Sequence, residues 1–68
     1  MTNTKAFIKK KFESGLSYSY LAKKIGISRE ALYKKRDNVT EFKASEIAIL
    51  TKEMKLSKEE RDDIFLSV

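Results

Sequence analysis

The chain has no cysteine, no histidine, no proline and no tryptophan, and only two glycines among its 68 residues. Without cysteine there are no disulfides and no thiolate metal sites. Without histidine, imidazole ligation and Ser-His or Cys-His nucleophilic chemistry go as well. No metal or other cofactor is expected, and an enzyme is not expected. The scarcity of proline and glycine excludes a collagenous chain, and 41% apolar residues is too many for a disordered one. Long hydrophobic runs are missing too. The longest is Ile47-Ala48-Ile49-Leu50, against the ~20 residues that a membrane-spanning helix needs. Lys9, Lys10 and Lys11 interrupt any apolar core of a secretory signal. A cytoplasmic location is the expectation, with no membrane partner.

What is present is charge, unevenly placed. The whole chain carries 15 Lys and Arg against 10 Asp and Glu, or +5. Residues 1–36 hold ten bases and two acids, +8, and residues 37–68 hold five bases and eight acids, −3. A basic working half and an acidic second half follow, and the simplest partner for the first is a polyanion. At this length one domain, 1–68, is expected. It would bury only ~60% of its unfolded surface.

The apolar spacing is helical throughout and predicts an all-α fold, a compact bundle of about five short helices. The first runs from Thr4 to about Ser14, with Ile8 and Phe12 four apart and Phe7 flanking them. Gly15 is placed to stop it in the left-handed conformation. Ser17 is a natural cap for a second helix, Tyr18 to Ile25, ended by Gly26. Ser28 does the same for a third, Arg29 to about Arg36. Asp37 to Phe42 is a polar connection in which Asn38 tolerates left-handed geometry, with Phe42 as its anchor. A fourth helix covers Ala44 to Met54 with Ile47, Leu50, Thr51 and Met54 on one face. Ser57 and Glu60 form a capping box for a fifth. The candidate core is Ile8, Phe12, Leu16, Leu21, Ala22, Ile25, Ile27, Leu32, Phe42, Ile47, Leu50, Met54, Leu56 and Phe65.

Residues 17–36 are the most informative: S-Y-S-Y-L-A-K-K-I-G-I-S-R-E-A-L-Y-K-K-R. Two short helices, each opened by Ser, meet at Gly26. Ala22 lets them approach, and Ile27 and Leu32 fill the angle between them. These are the physical needs of a helix-turn-helix. The stretch resembles the helix-turn-helix of the lambda-repressor-like family, of Cro and phage-repressor type. The matching residues are Leu16-Ser17, Leu21-Ala22, Ile25-Gly26-Ile27-Ser28-Arg29 and Leu32, continuing through Glu41-Phe42, Ser45-Glu46-Ile47 and Leu56-Ser57-Lys58-Glu59-Glu60. It looks most like the short single-domain regulators of Gram-positive bacteria and their phages. Tyr18 stands where many members carry Gln, and Arg36 and Glu53 stand where an apolar residue is frequent. The last two imply either local repacking, with Val39 filling in for position 36, or a surface adapted to a partner.

The resemblance implies binding of a double-stranded DNA operator, with the third helix in the major groove. Its base-reading positions fall on Arg29, Glu30, Tyr33 and Lys34. Arg29 would grip guanine O6 and N7, and Glu30 would accept from cytosine N4. Tyr18, Ser28, Lys35, Arg36 and Lys43 are the expected phosphate contacts. Arg29 carries most weight, since a cation at a helix N-terminus opposes the dipole and calls for another reason. Tyr18 is open between DNA contact and packing, and Tyr20 reads as core rim. Lys9-Lys10-Lys11 reads as a solvated face. A membrane-surface role for residues 4–14 fits poorly with Ile8 and Phe12 in the core. Glu59, Glu60, Asp62 and Asp63 read as a solvated acidic face.

Two functional expectations follow. One is a transcriptional repressor or regulator of Cro type that binds its operator as a homodimer. The other is an antirepressor or modulator that uses the same scaffold to bind a partner repressor protein. Ile49, Ile64, Leu66 and Val68 are the candidate protein contacts. Ile49 lies off the main stripe of its helix. The three C-terminal residues would cap the core or meet a second subunit.

Overall fold

A computed structural model of the chain describes residues 1–66. It contains five α-helices: α1 (Thr4–Ser14), α2 (Tyr18–Ile25), α3 (Arg29–Arg36), α4 (Ala44–Glu53) and α5 (Lys58–Phe65). No strand occurs among the described residues. Val68 lies outside them.

Local chemistry sets the helix ends. Ser17 Oγ accepts the Tyr20 N–H at 3.0 Å, and Ser28 Oγ accepts that of Ala31 at 3.1 Å. Each bond satisfies one donor that the first turn leaves unpaired. Ser57 and Glu60 exchange bonds of 3.1 and 2.8 Å in the expected capping box. Gly26 adopts φ 80°, left-handed, which allows the Ile27 N–H to return to the Ala22 carbonyl at 3.0 Å. Two further caps were not anticipated. Asn3 Oδ1 accepts the Ala6 N–H at 3.1 Å, and Glu46 reaches back to the Lys43 N–H at 2.8 Å.

Every helix contributes to one core: Phe7 from α1, Leu21 and Ala22 from α2, Leu32 from α3, Leu50 from α4, and Ile64 and Phe65 from α5, with Met54 just beyond α4. Leu16, Ile25, Ile27, Phe42, Ile47 and Leu56 pack around it. Phe7 is the hub. Its ring stacks on Phe42 at 5.8 Å and Tyr18 at 6.4 Å, and meets the edge of Phe65 at 6.1 Å.

Four expectations are corrected. Phe12 is 80% and Ile8 43% exposed, so neither belongs to the core. The inward residue of α1 is Phe7, because the cap at Asn3 and a bond from the Asn3 N–H to the Ile64 carbonyl (2.7 Å) fix how α1 is turned. Ile64 is 1% exposed; it is a core residue with no surface to offer a partner. Val39 is exposed and does not fill in for position 36.

The α3–α4 connection is fixed at Asn38, whose φ of 67° is left-handed. Its side chain accepts the Thr2 N–H at 2.8 Å and donates to the Thr2 carbonyl at 3.0 Å. Thr4 Oγ1 donates to the Arg36 carbonyl at 2.7 Å. The end of α3 is thus held by the residues that lead into α1.

Candidate nucleic-acid interface

Helical geometry divides the surface of α3. Leu32 is its buried residue. At about 100° per residue, Glu30 and Lys34 lie on the side opposite Leu32. Arg29, Tyr33 and Arg36 form one flank, and Ala31 and Lys35 form the other. The exposures agree: Arg29, Glu30 and Lys34 are exposed, while Tyr33, Lys35 and Arg36 are half-buried.

The flank towards α2 is an aromatic–cation cluster. Tyr18 and Tyr33 meet edge to face at 5.0 Å. The Arg36 guanidinium lies 4.9 Å from the Tyr33 ring and 5.3 Å from that of Tyr18. Lys11 of α1 covers Tyr18 at 4.5 Å. Asp37 takes two hydrogen bonds from Arg36, 2.8 Å from Nε and 2.9 Å from Nη2. The Asp37 carboxylate, then the Tyr18 phenol, hold the guanidinium above its ordinary value. Arg36 in turn holds Asp37 below the usual carboxylate range. Tyr18 is thus packed against Phe7, Tyr33 and Arg36, and the charge of Arg36 is largely matched within the chain.

The other flank corrects an expectation. The Lys35 ammonium is 2.9 Å from Glu46 Oε1 and donates to the Glu41 carbonyl at 3.0 Å, with its side chain only 11% exposed. It ties α3 to α4 and is not a free cation for a phosphate. Burial pushes the Glu46 carboxyl up, but the Lys43 backbone N–H and the Lys35 ammonium outweigh it and hold the group below its ordinary value.

The remaining site residues stay on the surface. Among the described residues, Arg29, Lys34 and Lys43 take part in no ion pair, and all three are exposed. Ser28 is exposed at the start of α3, with its oxygen already accepting the Ala31 N–H. The face therefore presents Arg29, Glu30 and Lys34 outward, bordered by Ser28 and Tyr33, while Lys43 is exposed at the start of α4. Ile49 sits apart on α4, 36% exposed, and Leu66 is exposed beyond α5.

No group of three or more carboxylates able to hold a metal ion occurs among the described residues. Two surface depressions, of about 340 and 380 Å³, are lined by no residue of α3. No described helix is long and apolar enough to cross a membrane.

Sequence reasoning missed the roles of Glu46 and Lys11, and of Asn38 beyond its left-handed turn, which was expected and is observed. The partners Lys35, Tyr18 and Thr2 are brought to them across the fold, with no local spacing signal. The wheel places Lys35 on a flank about 60° from Leu32; that this flank meets α4 and Glu46 is set by the tertiary packing. No family model matches the chain, and neither a curated protein nor a solved structure matches it.

Proposed function

We propose that the chain is a sequence-specific double-stranded DNA-binding transcriptional regulator of Cro or repressor type, encoded by a phage or prophage. In this reading α2 and α3 are the helix-turn-helix, and α3 enters the major groove. The observation that carries it is the outward face of α3. Arg29 and Lys34 stand exposed without acidic partners beside a Ser-capped helix start, in the half of the chain that holds +8. Arg29 reads guanine and Glu30 reads cytosine N4. Tyr33, held by Tyr18 and Arg36, presents its outer edge to a thymine methyl. Lys34, Lys43 and Ser28 anchor the phosphates. The reading needs no cofactor and no catalysis. A homodimer would set its two third helices ~34–36 Å apart on a near-palindromic operator.

The test is binding to the DNA flanking its own gene at several salt concentrations. The logarithm of affinity should fall against the logarithm of salt by about 0.9 per neutralised phosphate. Arg29→Ala should cost about 1–3 kcal/mol and relax specificity at one base pair. Salt-insensitive binding, or equal affinity for random DNA, would falsify the proposal.

One observation favours a second reading. Tyr18, Lys35 and Arg36 are engaged within the chain, which leaves fewer free cations than a DNA-binding face commonly uses. An antirepressor or modulator that binds a partner repressor accommodates that. Its signature is a stable complex with that repressor and no DNA binding by the chain alone.

A further inference from the structure

The face of α1 that points away from Phe7 has no use in the proposed DNA contact. Ile8 and Phe12 lie one helical turn apart on it, 43% and 80% exposed. Lys5 and Lys9 lie beside them on the wheel, both exposed. Neither is in an ion pair among the described residues. Lys11, on the Tyr18 side of the helix, also meets no carboxylate. The one acid of α1, Glu13, is drawn to Lys10 at 3.3 Å, and Lys10 is itself turned to Glu60 of α5. The result is a short apolar strip edged by cations with no acid of its own.

We propose that this face is a docking surface for an acidic amphipathic helix of another protein. Apolar side chains of that helix would cover Phe12 and Ile8, and its carboxylates would meet Lys5 and Lys9. Two features select this occupant. The charge of the patch is of one sign, so its complement is acidic. The apolar strip is one turn long, which suits a single crossing helix. A bilayer is a poorer fit, because an interfacial helix buries a whole apolar face and the other apolar residues of α1, Ala6 and Phe7, are taken by the core. The patch contains no residue of α3, so it does not rest on the DNA reading.

The probe is a designed helical peptide of ~15 residues with Leu at i and i+4 and Glu flanking them, titrated into the ¹⁵N-labelled chain. The expected result is saturable shifts at Lys5, Ile8, Lys9 and Phe12, with α3 unmoved. Phe12→Ser should weaken binding about tenfold, as should Lys5→Glu with Lys9→Glu. Thermal stability and DNA affinity of Phe12→Ser should match the parent, since the Phe12 ring stands in solvent. The proposal is overturned if a charge-matched peptide with scattered leucines binds equally well. It is also overturned if shifts do not saturate, or if Phe12→Ser weakens DNA binding instead. Phe12-dependent binding to vesicles of mixed phosphatidylcholine and phosphatidylglycerol would assign the face to a membrane. Phe12-dependent self-association would assign it to a second copy.

Discussion

Replacing Glu46 tests how α3 is held to α4. Its Oε1 accepts the Lys43 N–H at 2.8 Å and lies 2.9 Å from the Lys35 ammonium, with its side chain 7% exposed. Glu46→Gln keeps an acceptor for the backbone N–H and removes the charge. A hydrogen bond to a charged group is worth ~1.5–3 kcal/mol. Lys35 keeps the Glu41 carbonyl and is close enough to solvent to reach it, so the expected cost is about 1–2 kcal/mol. Glu46→Ala also removes the cap, adding ~0.5–2 kcal/mol, out of a total stability of ~3–10 kcal/mol for this length. Lys35→Met combined with Glu46→Gln should cost less than the sum of the two singles, by ~1 kcal/mol. The pH dependence has a definite sign. The folded carboxyl is held below its ordinary value. The pair therefore stabilises at neutral pH, and its contribution fades as pH falls from ~4.3 through the lowered value. Urea denaturation followed by far-UV circular dichroism, at pH 7 and across the acid range, measures both. A Glu46→Gln protein within a few tenths of a kcal/mol of the parent at pH 7 would refute the reasoning. So would a deficit that does not shrink in acid. Lys35→Met should leave the salt dependence of the proposed DNA binding unchanged, because its ammonium is already committed.

Asn38 and Glu60 give two further checks. Asn38→Ala loses both bonds to Thr2 and leaves in the left-handed conformation a residue without the polar side chain that lets Asn tolerate it; the expected cost is ~2–3 kcal/mol. Asn38→Gly should recover the backbone part of it, as read by thermal denaturation. The carboxyl of Glu60 is held at about 2 by Lys10 and by the Ser57 backbone N–H. Its folded value is below its unfolded one, so the stabilisation it gives is lost as pH falls from ~4.3 towards 2. NMR titration should show Glu60 rising towards the ordinary value in Lys10→Met. An unchanged titration would remove Lys10 as the cause.

The helices, their Ser caps and Gly26 were legible because each rests on chemistry within four residues. Ser17 meets Tyr20, Ser28 meets Ala31, and Ser57 meets Glu60. The rotation of α1 was not legible. Ile8 and Phe12 offer as good an i, i+4 stripe as any, yet Phe7 faces inward. What decides is the tie from Asn3 to Ile64 and the aromatic partners Tyr18, Phe42 and Phe65, all distant in sequence. For the same reason the sequence leaves Ile64 open between core and partner contact: α5 offers Ile64, Phe65 and Leu66 in a row, and only packing tells which two go inside. In the candidate site, Glu30 and Lys34 fall on the outward side of α3 by periodicity alone, while Arg29, on the flank of the wheel, stays exposed because it opens the helix. The loss of Lys35 to Glu46 depends on where α4 lies.

Arg36 and Glu53, which depart from the pattern of the proposed family, are tied to neighbours within the chain. The Arg36 guanidinium lies on Tyr18, and Asp37 balances its charge. The Tyr20 hydroxyl donates to Glu53 at 2.7 Å. Two charges that would be costly against a core are thus met by aromatic residues of α2. This is the behaviour of local repacking, and it leaves neither position as a free partner surface. It also divides the run Lys34, Lys35, Arg36. At about 100° per residue the three point outward, to α4 and to α2, and only Lys34 reaches solvent unpaired. The basic charge of this helix that remains for a polyanion is therefore carried by Arg29 and Lys34. A substitution at either should change the salt dependence of the proposed DNA binding more than one at Lys35 or Arg36, although all four contribute equally to the net charge.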